Sequence, residues 1–195
     1  MTKPTYVMDT EIYKDYFLVC FRDIEKHTYK SFEQYPGHKL NADGVRKIIQ
    51  SALIVTFNGN NFDIPILSLA LAGADCAKIK QASDAIIVNN MRGWQIEKQF
   101  NFKSIKQCDH IDLIEVTPGM VSLKIYGGRL HCQKMQDLPI DPGDSISEAQ
   151  RVELRQYCRN DLEITEMLYR KLLPQITLRG QMSEQFPAGR SPQES

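Results

Sequence analysis

Asp9-Thr10-Glu11 closes an apolar run, Thr5-Tyr-Val-Met8, and is the first stretch of this chain whose residue types suggest chemistry. Strand side chains alternate between faces, so Asp9 and Glu11 leave the same side two positions apart. Carboxylates so placed repel each other. A cation between them relieves the repulsion, and oxygen donors suit a hard divalent ion such as Mg²⁺. So short a pattern also describes a strand running out into a polar turn with two solvated acids. A second stretch, Asn58-Gly-Asn-Asn-Phe62-Asp63, is a polar turn that ends in an acid at a helix start. A carboxylate there also suits the helix dipole, but Phe62 beside it offers a face for a nucleobase. The third is Tyr157-x-x-x-Asp161, whose spacing puts both side chains on one helical face. A half-buried Tyr and a solvated Asp would explain it too. Together these stretches supply four carboxylates and a tyrosine. That set suits two metal ions, ~3.5–4 Å apart, clamping the attacking and leaving oxygens of a phosphoryl transfer.

The intervening sequence reads as the elements that would bring these groups together. Strands are expected at Thr5–Thr10, Tyr16–Phe21 and His27–Phe32, joined by short turns as an antiparallel meander. Asn41 reads as the N-cap of a helix to about Ser51, with Val45, Ile48 and Ile49 inward. Leu53–Phe57 reads as a buried strand parallel to the first. Phe62-Asp-Ile-Pro65 opens an apolar helix to about Ala72, stopped by Gly73. One or two helical turns are expected within Ala74–Asn90, and the pattern weakens from Met91 to Gln107. His110–Val116 reads as a strand, Ser122–Leu130 as a short helix and Leu138–Gly143 as a loop. Ser145-Ile-Ser-Glu148 has the form of a capping box. It opens a long amphipathic helix that includes Leu154, Leu162, Met167, Leu168 and Leu172 and ends at Pro174. The expectation is an α/β fold: one domain over residues 1–178, with about five strands in a mixed sheet flanked by helices, and a loose polar tail over 179–195.

At 195 residues, 42% hydrophobic and 25% charged, the chain can bury a core and is not of the disordered class. Basic and acidic residues balance at 24 each, which argues against a broad basic surface for duplex DNA but leaves room for a local groove. Six basic residues against two acids between Lys78 and Lys106 form a local excess, either a solvated face or a phosphate contact. The five cysteines include no Cys-x-x-Cys, and the four histidines lack zinc-finger spacing. Both features fit reduced thiols in a cytoplasmic protein. No signal peptide is expected, and runs such as Ile64–Ala72 are too short to span a bilayer.

In order and spacing, Asp9-Thr-Glu11, Asn58-x-x-x-Phe62-Asp63 and Tyr157-x-x-x-Asp161 resemble the three motifs of the DEDD superfamily of 3′→5′ exonucleases. The resemblance covers about residues 5 to 173. It is nearest to the proofreading domains of family B DNA polymerases of viruses and phages. Asn58-Gly-Asn-Asn-Phe-Asp-Ile-Pro65, His110-Ile-Asp-Leu113, Ser122–Leu130 and Leu178–Phe186 also look like segments of those domains. Tyr157, with Gln rather than His at 156, looks like the Tyr subclass. The resemblance implies an RNase H-like fold. Asp9, Glu11, Asp63 and Asp161 would hold two divalent cations, Mg²⁺ or Mn²⁺. Glu11 and Tyr157 would orient the attacking water. Thr10, Asn58 and Phe62 would grip the last nucleotides of a strand, and Lys124 would meet a phosphate. The implied activity removes 5′-mononucleotides from the 3′ end of single-stranded DNA. RNA or an RNA–DNA hybrid, or a non-catalytic module that binds single strands or a DNA polymerase, remain alternatives. The chain is too short to hold a polymerase palm, and no Asp-Thr-Asp follows residue 173. It would therefore be free-standing or excised, acting in the host cytoplasm if phage-encoded. Ala74–Gln107 matches nothing in that family.

Overall fold

The computed structural model describes residues 3–105, 108–119, 121–130, 132 and 138–185. Five strands form one mixed sheet: β1 (Thr5–Ile12), β2 (Phe17–Asp23), β3 (Thr28–Gln34), β4 (Leu53–Thr56) and β5 (Asp109–Asp112). Their spatial order is β3-β2-β1-β4-β5. The first three pair antiparallel as a meander, and β4 and β5 join β1 in parallel. The parallel strands therefore share one C-terminal edge, where β1 delivers Asp9 and Glu11, β4 feeds the turn from Phe57, and β5 ends on Asp112.

Alternation along β1 divides the interior into two. Tyr6, Met8 and Ile12 pack with α1 (Ala42–Ser51), α2 (Asp63–Leu71), α3 (Cys76–Ile87) and α4 (Gly93–Phe100). Val7 faces the opposite cluster with Leu154, Cys158, Leu162 and Leu172 of α6 (Glu148–Gln185), and α5 (Leu123–Arg129) packs beside α6. The fold is thus α/β, a five-stranded mixed sheet with helices on both faces. Among the described residues no helix is long and apolar enough to cross a membrane.

Local signals account for most boundaries. Asn41 caps α1 by accepting from the Gly44 N–H at 3.0 Å. Gly73, at φ 93°, ends the turn after α2. His27, at φ 54°, sits in the tight β2–β3 turn, where a left-handed residue reverses the chain. Four expectations change. Helix α3 spans three turns rather than one or two, capped by Asp75 on the Lys78 N–H at 2.8 Å. Helix α4 lies where the pattern weakened, because its buried positions are only Ile96 and Phe100. Strand β5 stops at Asp112 and passes into a 3₁₀ turn over Leu113–Glu115, which keeps Leu113 in the core. The capping box is Ser147 with Gln150, two residues later than expected: Gln150 accepts the Ser147 N–H at 2.9 Å, and the Ser147 hydroxyl is 3.4 Å from the Gln150 N–H.

The largest difference is at Pro174, which lies inside α6 rather than ending it. A helix-interior proline removes one hydrogen bond and crowds the carbonyl four residues back, at a cost of about 3 kcal/mol. Burial offsets this cost: Leu172 is buried and Ile176 packs on the same apolar cluster, while Arg179 donates to the Glu115 carbonyl at 2.6 Å. Residues 179–185, expected in a loose tail, are therefore helical, and 186–195 lie outside the described residues. Met167, expected inward, is exposed. Because Pro174 is itself exposed, Pro174→Ala should restore the bond without a cavity. We expect it to stabilise the protein by about 1–3 kcal/mol, a rise in Tm of several degrees by calorimetry. A lowered Tm would mean that burial does not hold the helix together across residue 174.

Candidate functional site

Asp9 and Glu11 project from β1 toward α6, and Thr10 projects to the other face, toward α2. The Thr10 hydroxyl donates to Asp63 Oδ1 at 2.6 Å, a charge-assisted bond joining the end of β1 to the first residue of α2. Thr10 and Asp63 are both buried. The hydroxyl of Thr10, expected on a nucleotide, is thus committed to positioning an acid.

The turn that delivers Asp63 is built tightly. Asn58 is left-handed at φ 64°, a conformation Asn tolerates better than most residues. A Cβ at Gly59 would lie 2.0 Å from Thr56 Oγ1, so the backbone there can approach β4 only as glycine. Asp112 accepts the Asn58 N–H at 2.7 Å and the Asn60 N–H at 2.9 Å, pinning the turn to the end of β5. The Asn60 side chain donates to Glu115 at 2.6 Å, and Asn61 donates to the Asn58 side-chain oxygen at 3.0 Å. That last bond leaves the Asn58 amide nitrogen as its outward donor. Phe62 is half-buried against the α1–α4 cluster, immediately before Asp63.

Helix α6 brings the rest. Its close approach to β1 is set by Cys158, whose thiol lies 3.6 Å from Asp9 Oδ2 and touches Cys20, the residue opposite Asp9 on β2. The flanking Tyr157 is buried and makes a hydrogen-bonding contact with Asp161 one turn on. Arg22 holds the helix through Glu166 at 2.5 Å, and Arg155 pairs with Glu33. Lys124 on α5 is near enough for its charge to act on Asp161.

The four carboxylates therefore occupy one electrostatic neighbourhood. Asp9 is held well above the usual carboxylate range, by burial first and then by Asp63, Glu11 and Asp161. Burial also raises Glu11 well above its ordinary value, with Asp161 as its strongest charged neighbour. Asp63 is pushed up to about 7, chiefly by burial, with the Thr10 hydrogen bond opposing and Asp112 adding. Asp161 is raised by burial, against the Tyr157 contact and the Lys124 charge. Tyr157 is raised as well, by burial and then by Asp161, Glu11 and Asp9, so its phenol stays protonated. Ligand atoms of Asp9, Glu11 and Cys158 lie within 4.8 Å of one another. Of these, the carboxylate oxygens are the hard donors. The Cys158 thiol is driven well up by burial and by Cys20, and as a neutral thiol it acts as a neighbour rather than a ligand.

All five expected chemical residues thus meet, with Thr10 and Lys124 beside them. Asn58 and Phe62 stand in the turn that leads into Asp63. Sequence reasoning missed the anchoring role of Asp112. Its signal was an acid set between two apolar residues, Ile111 and Leu113, a place that demands partners. No family model, curated protein or solved structure compared with this chain matches it.

Two measurements test the site. Losing the two N–H acceptors in Asp112→Ala should destabilise the protein by about 1–3 kcal/mol in urea denaturation. An unchanged midpoint would mean that the turn does not depend on β5. The second concerns charge. Acids whose folded values are raised keep protons that the unfolded chain sheds near pH 4. Metal-free stability should therefore fall as pH rises from about 4 through about 7, the value of folded Asp63. Asp9→Asn removes one desolvated charge and its repulsions, so in EDTA it should melt several degrees above the parent at pH 8 and level with it at pH 4. A lower melting point for the variant at pH 8 would contradict the electrostatic account.

Proposed function

We propose that this protein is a metal-dependent 3′→5′ exonuclease that hydrolyses single-stranded DNA from its 3′ end to 5′-mononucleotides. The observation that carries the reading is the convergence of Asp9, Glu11, Asp63 and Asp161 from β1, α2 and α6, with Tyr157 against Asp161. The strand order β3-β2-β1-β4-β5, with its antiparallel meander and parallel edge, supports an RNase H-like fold. The motif order supports the DEDD superfamily and its Tyr subclass. Four carboxylates raised by burial and, at Asp9 and Glu11, by one another's charge suit a pair of Mg²⁺ or Mn²⁺ ions. Such ions, when bound, would balance the charge against an incoming phosphodiester and make a water a better nucleophile.

The chain's own residues supply position. Asp9 and Glu11, from one strand, and Asp63 and Asp161, from two helices, define the point where the scissile phosphate enters. Tyr157, protonated and fixed by Asp161, serves as a hydrogen-bonding guide for the attacking water rather than as a base. The Asn58 amide and the exposed part of Phe62 flank the entrance and would hold the terminal nucleotide, the ring by stacking. Lys124, beside Asp161, would meet a phosphate. The polymerase-domain resemblance favours DNA and a proofreading role, whether the protein acts alone or beside a polymerase.

A 5′-labelled single-stranded DNA, run beside its RNA counterpart with Mg²⁺ or Mn²⁺, should give a ladder shortening from the 3′ end. EDTA should abolish it. Asp9→Ala or Asp161→Ala should reduce it by at least about a thousandfold, the scale of removing a preorganised charge-stabilising group. Tyr157→Phe should slow it by a smaller factor, about ten- to a hundredfold, because only the guiding hydrogen bond goes. Near-full activity in either Asp variant would remove the metal assignment. No ladder on either strand would point instead to a binding module.

A further inference from the structure

We propose that Trp94, with Arg92 beside it, binds the upstream part of the single strand whose 3′ end enters the carboxylate cluster; this rests on the nuclease reading of that cluster. Trp94 is the chain's single tryptophan, and at 67% exposure it is among its most exposed large apolar side chains. An exposed indole presents a flat face on which a base can stack. It stands in the first turn of α4, and that turn is docked on the start of α2, the helix Asp63 opens. A Cβ at Gly93 would come within 3.0 Å of Pro65 Cγ and 3.6 Å of the Asn60 carbonyl.

Between the two helix starts runs a groove of about 460 Å³, lined by Asn60, Asn61, Pro65, Arg92, Trp94 and Glu97 among others. It has room for a stacked nucleotide. It begins at Asn60 and Asn61, within the turn that carries Asn58 and Phe62, so it continues the entrance of the site. Arg92 is exposed and pairs with no acid among the described residues, and the same holds for Lys103 nearby in sequence. By contrast, Lys80 is engaged with Asp84 at 2.5 Å. Glu97 lines the groove, which sends a phosphate toward Arg92 and leaves the base for the indole. Exposed Ile87 and Val88 lie close by in sequence and would suit a protein partner, but the groove itself combines an indole with two amides, an arginine and Glu97, a mixed lining that matches a nucleotide better. The segment that matched nothing in the resembled family thus acquires a task.

With one tryptophan, the test reads the residue directly. Asp9→Ala protein in Mg²⁺ is titrated with a ten-nucleotide oligo-dT and with a dT dinucleotide, following Trp emission and the anisotropy of a 5′-fluorescein label. The decamer should quench the emission and the dinucleotide should not. Trp94→Ala should weaken decamer binding about five- to a hundredfold, Trp94→Phe should recover most of it, and Arg92→Ala should flatten its salt dependence. Decamer binding with no change in emission and no effect of Trp94→Ala overturns the proposal, leaving the face to a protein partner, while trimming by wild-type protein would still uphold the nuclease reading. Quenching by the decamer with no trimming by wild-type protein would do the reverse, sustaining the strand site and removing the nuclease. Failure of the decamer to bind overturns the proposal.

Discussion

Four carboxylates in one another's field persist only if each is fixed by something stable for other reasons. None of Asp9, Glu11, Asp63 and Asp161 stabilises the fold by its charge: burial raises all four, and the charges of the others add to it at Asp9 and Glu11. The remainder of the molecule can be read as the scaffold that holds them. β1 lies at the centre of the sheet, paired on both sides, and cannot retreat. Helix α6 buries Leu154, Cys158, Leu162, Leu168 and Leu172 against that sheet, and Arg22 and Arg155 fasten it to the meander through Glu166 and Glu33. Apolar burial of this extent is worth far more than the repulsion it overcomes.

The alternation of β1 has a further consequence. A strand covered on both faces can give one side's residues to one helix and the other side's to another. Asp9 and Glu11 meet α6, and Thr10, between them, reaches across to hold Asp63 on α2. Three consecutive residues thereby join the two halves of the core, and neither helix needs to touch the other at the site. The sheet's parallel edge adds the turn at 58–62, fixed by Asp112, so the approach of the chain to Asp63 is held rigidly.

The strands, α1, α2, α5 and the grouping of the five candidate residues were legible because their signals are local: alternation, an Asn cap, a stopping glycine, a spacing of four. What was not legible depends on contacts distant in sequence. Pro174 reads as a stop until the burial of Leu172 and Ile176 on one cluster is counted. α4 hides because only Ile96 and Phe100 face inward, too few to mark a period. Thr10 looked like a substrate contact because its partner Asp63 is 53 residues away in the chain. Asp112 lies on a strand as expected, but its anchoring role was hidden because its donors are backbone N–H groups that no sequence pattern displays.

The small side chain at position 158 shows how closely the site depends on helix placement. Tyr157 and Asp161 can serve the acids on β1 only if α6 lies low on the strand. Cys158 permits this, its sulfur 3.6 Å from Asp9 Oδ2 and in contact with Cys20 across β2. A bulkier residue there would lift the helix and move Tyr157 and Asp161 together. Serine would keep the distance but bring a strong hydrogen-bonding group to Asp9, altering the charge that the carboxylate can hold. A neutral, weakly donating thiol fits both demands: it fills the space between helix and strand, and it makes only a weak contact with the Asp9 carboxylate.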